Sequence, residues 1–224
     1  MKKVFSLILA LTLCLSLCLG LCGCGDDVKD GTDDNASNPG TTLKASQGLA
    51  MEKHETEPYY IVTGLGTCTD STVVIPDTYE GLPVKEISRG AFARCTSVSE
   101  IIMPDSVTVV GEFAFENNDQ LVSVRLSNNL TVLGAGMFDD SAITSITVPS
   151  SVISAKDAFG NCTSLRSIVF LGDAPAFSKR SFDDVVATVY YDKDNPTWTS
   201  EVKQDYKGEL TWIGVDAATL NDYA

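Results

Sequence analysis

The sequence predicts a mainly β fold, a solenoid of short parallel strands with an opening turn and a C-terminal cap. Two observations carry this prediction: a phenylalanine that recurs at nearly constant spacing, and two apolar segments that keep the same phase relative to it. A period of roughly 20 to 50 residues is the signature of a repeat architecture, whose units bury their apolar faces against their neighbours. The phenylalanines lie 23, 23, 21 and 23 residues apart, at Phe92, Phe115, Phe138, Phe159 and Phe182.

The first apolar segment of each repeat reads as a strand of the main sheet. It is VSEIIMP from Val98, LVSVRLS from Leu121, ITSITVP from Ile143 and LRSIVFL from Leu165. Its last two apolar residues are separated by one residue, so both point into the core while the residue between them points out. Proline cannot donate to a strand ladder and therefore fits where such a strand ends, as at Pro76, Pro104 and Pro149.

The second apolar segment and the phenylalanine complete each turn. The segments are Val107 to Gly111, Leu130 to Gly134 and Val152 to Ala155, each followed by the turn that carries the phenylalanine. Because the three apolar features stay in phase, we expect the rings to stack in one buried column.

These residues resemble the BspA-type leucine-rich repeat, whose pattern is roughly L-x-x-I-x-I-P-x-x-V-x-x-I-G-x-x-A-F-x-x-C-x-x. The likeness is carried by SEIIMPDSVTVVGEFAF and TSITVPSSVISAKDAFGNCTSL. It extends to an opening turn from Tyr59 and to a closing segment that contains ATVYYDKDNPTW and GELTWIGV. The resemblance implies a leucine-rich-repeat solenoid of the kind found in bacterial surface or secreted proteins, which often act in adhesion and in host or matrix binding.

The sequence departs from this pattern in ways that preserve packing. The repeat cysteine is present at Cys95 and Cys162, but Asn118 and Ser141 stand in its place in the middle turns. The array is also short, with an opening turn, three full repeats and a half-repeat before the cap. We therefore expect a small ligand-binding surface.

The first residues resemble an export signal. Lys2 and Lys3 precede an apolar stretch from Val4 to Leu21, the plan of a secretory signal peptide, although an uncleaved membrane anchor is the alternative. Leu21-Cys22-Gly23-Cys24 resembles the bacterial lipobox, which implies lipidation of Cys24 and cleavage just before it. We therefore expect a lipoprotein signal peptide over residues 1–23, and a mature protein held by its N-terminal lipid on the extracellular face of the bacterial membrane.

Residues 24–57 are predicted to form a flexible acidic tether, followed by the repeat domain and cap over residues 58–224. The stretch GDDVKDGTDDNASNPGTT offers almost nothing to bury. Its aspartates invite a calcium-loop interpretation, but Val28 stands where the second ligand of that template belongs. A solvated spacer is therefore the better interpretation.

Charge and composition exclude several functions. A net charge of −14 repels phosphate backbones, so no nucleic-acid partner is expected. The one histidine, His54, lies at the predicted tether's edge, which argues against histidine-dependent catalysis or zinc binding. Paired carboxylates such as Asp139-Asp140 and Asp183-Asp184 fall in turns where they should be solvated. We expect no enzyme activity, no cofactor and no metal.

The outward positions of the main strand form the candidate binding surface. The residue between the two inward apolar residues is Val74, Ile102, Arg125, Thr147 and Val169 in successive turns. Exposed apolar residues in line with one arginine indicate a contact surface, but β-branched residues also favour strands without any partner. Arg125 could likewise form only a surface ion pair with Glu100.

The ligand-binding residues predicted from this surface are Glu100, Ile102, Arg125, Thr147 and Val169, and the expected partner is an extracellular protein or glycan. The sequence leaves a second function open, that of a structural or accessory envelope lipoprotein that assists another complex. Surface accessibility on intact cells would separate the two, because an adhesive module must be reachable from outside.

Overall fold

The structure is a computed structural model that describes residues 43–223. The predicted signal peptide, Cys24 and the tether up to residue 42 lie outside the described residues. Within residues 43–223, no helix is long and apolar enough to cross a membrane. The strands are β1 (Ala50–Lys53), β2 (Tyr60–Gly64), β3 (Thr72–Val74), β4 (Thr78–Tyr79), β5 (Leu82–Ile87), β6 (Glu100–Ile102), β7 (Val109–Val110), β8 (Ser123–Arg125), β9 (Ser145–Val148), β10 (Ser167–Phe170), β11 (Val186–Asp192) and β12 (Glu209–Val215), followed by a 3₁₀ helix (Ala217–Tyr223).

The predicted solenoid of parallel strands is confirmed. Each turn contributes one strand to the main sheet, which consists of two successive parallel ladders, β3-β6-β8 and β9-β10-β11-β12. Equivalent positions pair in register, so that Ile102 lies opposite Arg125 and Thr147 lies opposite Val169. The predicted closing segment adds β11 and β12 to this same sheet, which extends the array beyond the repeats counted from the sequence.

A second, smaller stack runs along the solenoid where the second apolar segments lie. β5 pairs with β7 in parallel, and isolated bridges join Val132 to Ser154 and Ser154 to Ala176. The segments are short because each one only spans the width of a turn. The core lies between this stack and the main sheet.

The phenylalanine column is confirmed. All five rings are fully buried, and each is stacked on the next, with centroid distances of 5.9, 5.5, 5.7 and 5.4 Å from Phe92 to Phe182. The near-constant interval in the sequence therefore corresponds to one continuous stack of rings that fixes the register between turns.

The turns around these rings depend on left-handed backbone conformations. The residue two places after each phenylalanine has a positive φ between 54° and 60°, and it is Arg94, Asn117, Asp140, Asn161 or Asp184. Asparagine and aspartate tolerate this region better than most residues, which explains their recurrence after the phenylalanine. The residue two places before the ring also has a positive φ in four turns. It is a glycine at Gly90 and Gly136, but a residue with a side chain at Phe113 and Asp157.

The position of the repeat cysteine joins neighbouring turns through polar contacts. Asn118 is buried, accepts a hydrogen bond from the Cys95 backbone N–H at 2.7 Å, and donates to the carbonyls of Phe92 and Phe115 at 2.8 and 2.9 Å. In a later pair of neighbouring turns, the Cys162 thiol donates to the Phe138 carbonyl at 3.0 Å. Asparagine at this position thus makes more contacts than the cysteine it replaces.

The predicted boundary of the tether at residue 57 is wrong. Leu49 is buried, and β1 pairs in antiparallel fashion with β2, so the chain has joined the domain well before residue 57. Gly48, with φ of 82°, approaches the next loop closely, and its carbonyl accepts a hydrogen bond from the Thr67 N–H at 2.8 Å. Short β1 has no sequence period of its own, because it forms no part of the repeat.

Candidate binding cleft on the outer face of the main sheet

The outward column predicted from the sequence exists as one row of neighbouring residues, but two of its members are not exposed. Ile102 is 8% exposed and Val169 only 1% exposed, so the predicted apolar contact surface is wrong at both positions. Ile102 is flanked in register by Val74 and Arg125, whose side chains border it on both sides.

Val169 is buried because the C-terminal 3₁₀ helix folds back over the outer face of the sheet. The helix packs on β10 and β11, with Leu220 buried. Tyr223 stacks on Tyr190, the neighbour of Val169 in β11, at a centroid distance of 4.3 Å. This part of the face is therefore occupied by the protein's own chain.

The free part of the face contains a break in the main sheet. Within residues 43–223, no strand ladder joins β8 to β9, although the two strands are neighbours and the Thr144 N–H donates to the Val122 carbonyl at 3.1 Å. A cleft of about 530 Å³ opens at this break. Two of the predicted binding residues, Arg125 and Thr147, line it, whereas Glu100, Ile102 and Val169 do not.

Arg125 lies in this cleft without a partner from the described residues. It is exposed, and among residues 43–223 it forms neither an ion pair within 4.0 Å nor a side-chain hydrogen bond. Glu100 accepts a hydrogen bond from the Thr72 hydroxyl at 3.1 Å instead. The alternative in which Arg125 serves only as a pair for Glu100 is therefore wrong.

Three hydroxyl groups line the same cleft as Arg125. The hydroxyls belong to Ser123, Ser145 and Thr147, and in the described part of the chain none of them forms a hydrogen bond with another side chain or with the backbone. Strand alternation directs all three outward on the same face as Arg125. The cleft thus offers one positive charge and several hydroxyl donors that the protein itself does not use.

The one carboxylate of the cleft is already engaged. Asp105 accepts hydrogen bonds from the Asn128 backbone N–H at 2.9 Å and from the Asn128 side-chain amide at 3.2 Å. These bonds, the backbone one first, hold the pKa of Asp105 below its usual value, and the nearby charge of Arg125 acts in the same direction. Asp105 is therefore ionised at neutral pH and fixed at the rim, and strand alternation did not select it as a site residue because it lies in a loop.

A second depression lies beside the phenylalanine turns and contains the acidic residues Asp139, Asp157 and Asp183. Burial raises the pKa of Asp139 to about 6, and neighbouring negative charges add to the shift. Asp140, its sequence neighbour, is exposed, so the two carboxylates lie in different surroundings rather than forming a pair. Among residues 43–223, no group of three potential ligands could hold a metal ion.

The stacked turns, the parallel sheet and the buried ring column define a leucine-rich-repeat protein. The family model described as the BspA type leucine rich repeat region matches residues 72–189 in six copies, and the chain belongs to this family. The match includes parts of the opening turn and of the closing segment, beyond the three full repeats recognised in the sequence.

Three solved structures of leucine-rich-repeat proteins are similar to this chain. A leucine-rich-repeat protein of Treponema pallidum, TpLRR, is 23% identical with a TM-score of 0.57, over 66% of this chain and 71% of that one. A leucine-rich cell surface protein of Faecalibacterium prausnitzii is 22% identical with a TM-score of 0.48, over 80% of this chain and 41% of that one. A leucine-rich-repeat protein of Bacteroides capillosus is 23% identical with a TM-score of 0.45, over 57% of this chain and 96% of that one. No curated protein matches the sequence.

Proposed function

We propose that this protein is a lipid-anchored binding module of the bacterial cell surface, which holds a carboxylate group of an extracellular protein or glycan in the β8–β9 cleft. Membership of the BspA-type family supports an interaction role, because such solenoids present an extended face rather than a catalytic centre. The observation that carries the proposal is the unpaired Arg125 in a cleft of unused hydroxyl donors.

A carboxylate suits this cleft for two chemical reasons. A guanidinium binds a carboxylate through two parallel hydrogen bonds, and adjacent hydroxyls can donate to the remaining lone pairs. The protein carries a net charge of −14, so anions are repelled in general and a carboxylate must be held by specific contacts. The fixed Asp105 at the rim would repel a ligand placed on the wrong side of Arg125, which adds orientation.

The test measures retention of the chain on immobilised polyglutamate, polygalacturonate and uncharged dextran at about 0.15 M salt, where distant charges are screened. We expect retention on at least one of the two polycarboxylates, and a loss of about tenfold or more for Arg125→Glu, consistent with the loss of one hydrogen-bonded charge contact. Lys156→Glu is the matched control, because Lys156 is an exposed cation outside the cleft that, like Arg125, forms no ion pair or side-chain hydrogen bond among residues 43–223.

Two results would contradict the proposal. The first is equal retention of the parent chain on the polycarboxylates and on dextran. The second is equal weakening by Arg125→Glu and Lys156→Glu, which would show that the change in net charge alone accounts for the lost retention.

The anchor is tested separately. The lipobox-like residues support lipidation of Cys24, so Cys24→Ala should abolish labelling of the protein by a fatty-acid probe. Protease treatment of intact cells should then degrade the parent protein. Protection from protease would favour the accessory envelope role instead.

A further inference from the structure

The last strand of the main sheet has a free edge. β12 spans seven residues and pairs only with β11 among the described residues. The opposite end of the sheet is different, because the Ser46 N–H donates to the Val74 carbonyl and the Ser46 hydroxyl accepts from the Val74 N–H. The chain therefore covers the first edge of the sheet and leaves the last one open.

The backbone groups on the free edge can be assigned. The Glu209 N–H donates to the Val185 carbonyl, and the Val215 carbonyl accepts from the Lys193 N–H, so these two positions face β11. Because backbone groups alternate along a strand, Leu210, Trp212 and Gly214 face the open side. The Leu210 N–H is held by the Asp205 carboxylate at 3.3 Å, which leaves Trp212 and Gly214 fully available.

Nothing in β12 protects this edge against pairing. Soluble proteins usually guard an exposed edge with lysine, proline, a bulge or a very short strand. β12 has the sequence ELTWIGV, pairs with β11 over its whole length without a register shift, and carries one charge, at Glu209. The 3₁₀ helix that follows turns back over β10 and β11 instead of covering the edge.

The apolar core is also incompletely closed at this end. Trp198 is buried, but Trp212 and Leu210 are only half-buried where they pack against the core, and so are Val202 and Tyr206. The indole N–H of Trp212 is buried without an acceptor among the described residues. Solenoids normally end in a unit with a polar outer face, and here the exposed residues Glu201, Gln204 and Lys207 leave these four apolar side chains half-buried.

We propose that β12 pairs with β12 of a second copy of this chain, antiparallel and about a two-fold axis at Trp212. Trp212 is the central residue of the strand, so in this register it lies opposite its own copy and exchanges both backbone hydrogen bonds with it. Leu210 then lies opposite Gly214, and Thr211 opposite Ile213. Glu209 lies opposite Val215, so the single charge of the strand meets no like charge.

A second copy is the occupant that this strand fits best, for two reasons. The strand is complementary to itself in the register centred on Trp212, which pairs the free groups of Trp212 and Gly214 and requires the Leu210 N–H to exchange the Asp205 carboxylate for the Gly214 carbonyl of the second copy. The two half-open core ends also meet, so that each aromatic cluster around Trp212 covers the other. The outer face with the Arg125 cleft stays free in the pair, which makes this inference independent of the proposed ligand.

Cysteine cross-linking of the full chain in its membrane tests the register. Thr211 and Ile213 form a non-hydrogen-bonded pair with the second copy, with Cα atoms about 4.5 Å apart, a distance that a disulfide accepts. Thr211→Cys with Ile213→Cys should therefore give a band at twice the monomer mass on a non-reducing gel. The matched control, Thr188→Cys with Tyr190→Cys, places the same pair at the equivalent positions of β11, which is paired on both sides, and should give none.

A charge swap tests the same contact without a covalent bond. The native mass of the detergent-solubilised chain, measured by light scattering, should correspond to two copies. Thr211→Glu with Ile213→Glu should reduce it to one copy, because carboxylates of the two copies then face each other. Thr211→Lys with Ile213→Glu should restore it, because each introduced lysine lies opposite a glutamate.

A cross-linked band at any other mass, equal cross-linking of the β11 control, or a parent chain of single mass would each overturn the proposal. The proposal would also be overturned if the two-glutamate variant had the mass of one copy and the lysine–glutamate variant did not regain the mass of two copies. A change of native mass in Arg125→Glu would show that the pair instead depends on the cleft.

Discussion

Truncation of Asn118 should be among the most destabilising changes in the repeat array. Asn118→Ala removes three hydrogen bonds at once and leaves the Cys95 N–H and the carbonyls of Phe92 and Phe115 without these partners in the core. A buried group that loses its partner costs about 1–3 kcal/mol, and relaxation of the cavity recovers part of the sum. We therefore expect a loss of about 3–5 kcal/mol in the free energy of unfolding.

The repeat itself supplies a graded comparison. In the equivalent position, the Cys162 thiol donates to the carbonyl of Phe138, the phenylalanine of the preceding turn. Asn118→Cys should regain one of the three contacts and be about 1–2 kcal/mol more stable than Asn118→Ala, in line with the net value of one hydrogen bond. Gln120→Ala, at an exposed position two residues away, should change stability by less than about 0.5 kcal/mol.

Urea unfolding followed by far-ultraviolet circular dichroism measures these differences, because the signal reports the whole sheet rather than the C-terminal tryptophans. An Asn118→Ala loss below about 1 kcal/mol, or equal stability of the alanine and cysteine variants, would show that these contacts do not hold the turns together.

Three further changes test other parts of the structure. Phe115→Ala should cost about 3–5 kcal/mol in thermal or urea unfolding, because it opens a cavity between two stacked rings. Asp139→Asn should stabilise the fold at pH 7. The folded-state pKa of Asp139 is about 6, above the ordinary 3.8, so the parent protein loses stability as the pH rises from 3.8 to about 6. The advantage of the asparagine in unfolding titrations should therefore shrink as pH falls from 6 to 4, and a constant difference would contradict it. Leu220→Ala should loosen the 3₁₀ helix and increase binding of an apolar fluorescent dye at Val169, with little change in the circular dichroism of the sheet.

The periodic part of the fold was predictable from the sequence because each turn repeats the same packing problem. The five rings, the strand that follows each of them and the residue columns all follow from a single interval. The segments outside the period were not predictable in this way. β1 and the 3₁₀ helix carry no repeat signal, and their positions depend on contacts with Leu49 and Leu220 that only the assembled solenoid provides.

The candidate site was predictable in part for the same reason. Strand alternation placed Arg125 and Thr147 on the outer face, and the cleft contains both. Alternation alone could not show that Ile102 and Val169 are covered, because burial depends on what packs above the sheet. Nor could it predict the missing ladder between β8 and β9, which is a property of how two particular turns stack.

The single-file order of the turns has a mechanical consequence. If the N-terminus is fixed to a membrane and a ligand pulls on the β8–β9 cleft, the load passes only through the turns that lie between these two points. Hydrogen bonds between successive strands of the main sheet run along the stack and would be loaded in series, so the turns would peel open one after another. The turns beyond the cleft would bear no force, and the edge of β12 would remain intact while the anchored end is stretched.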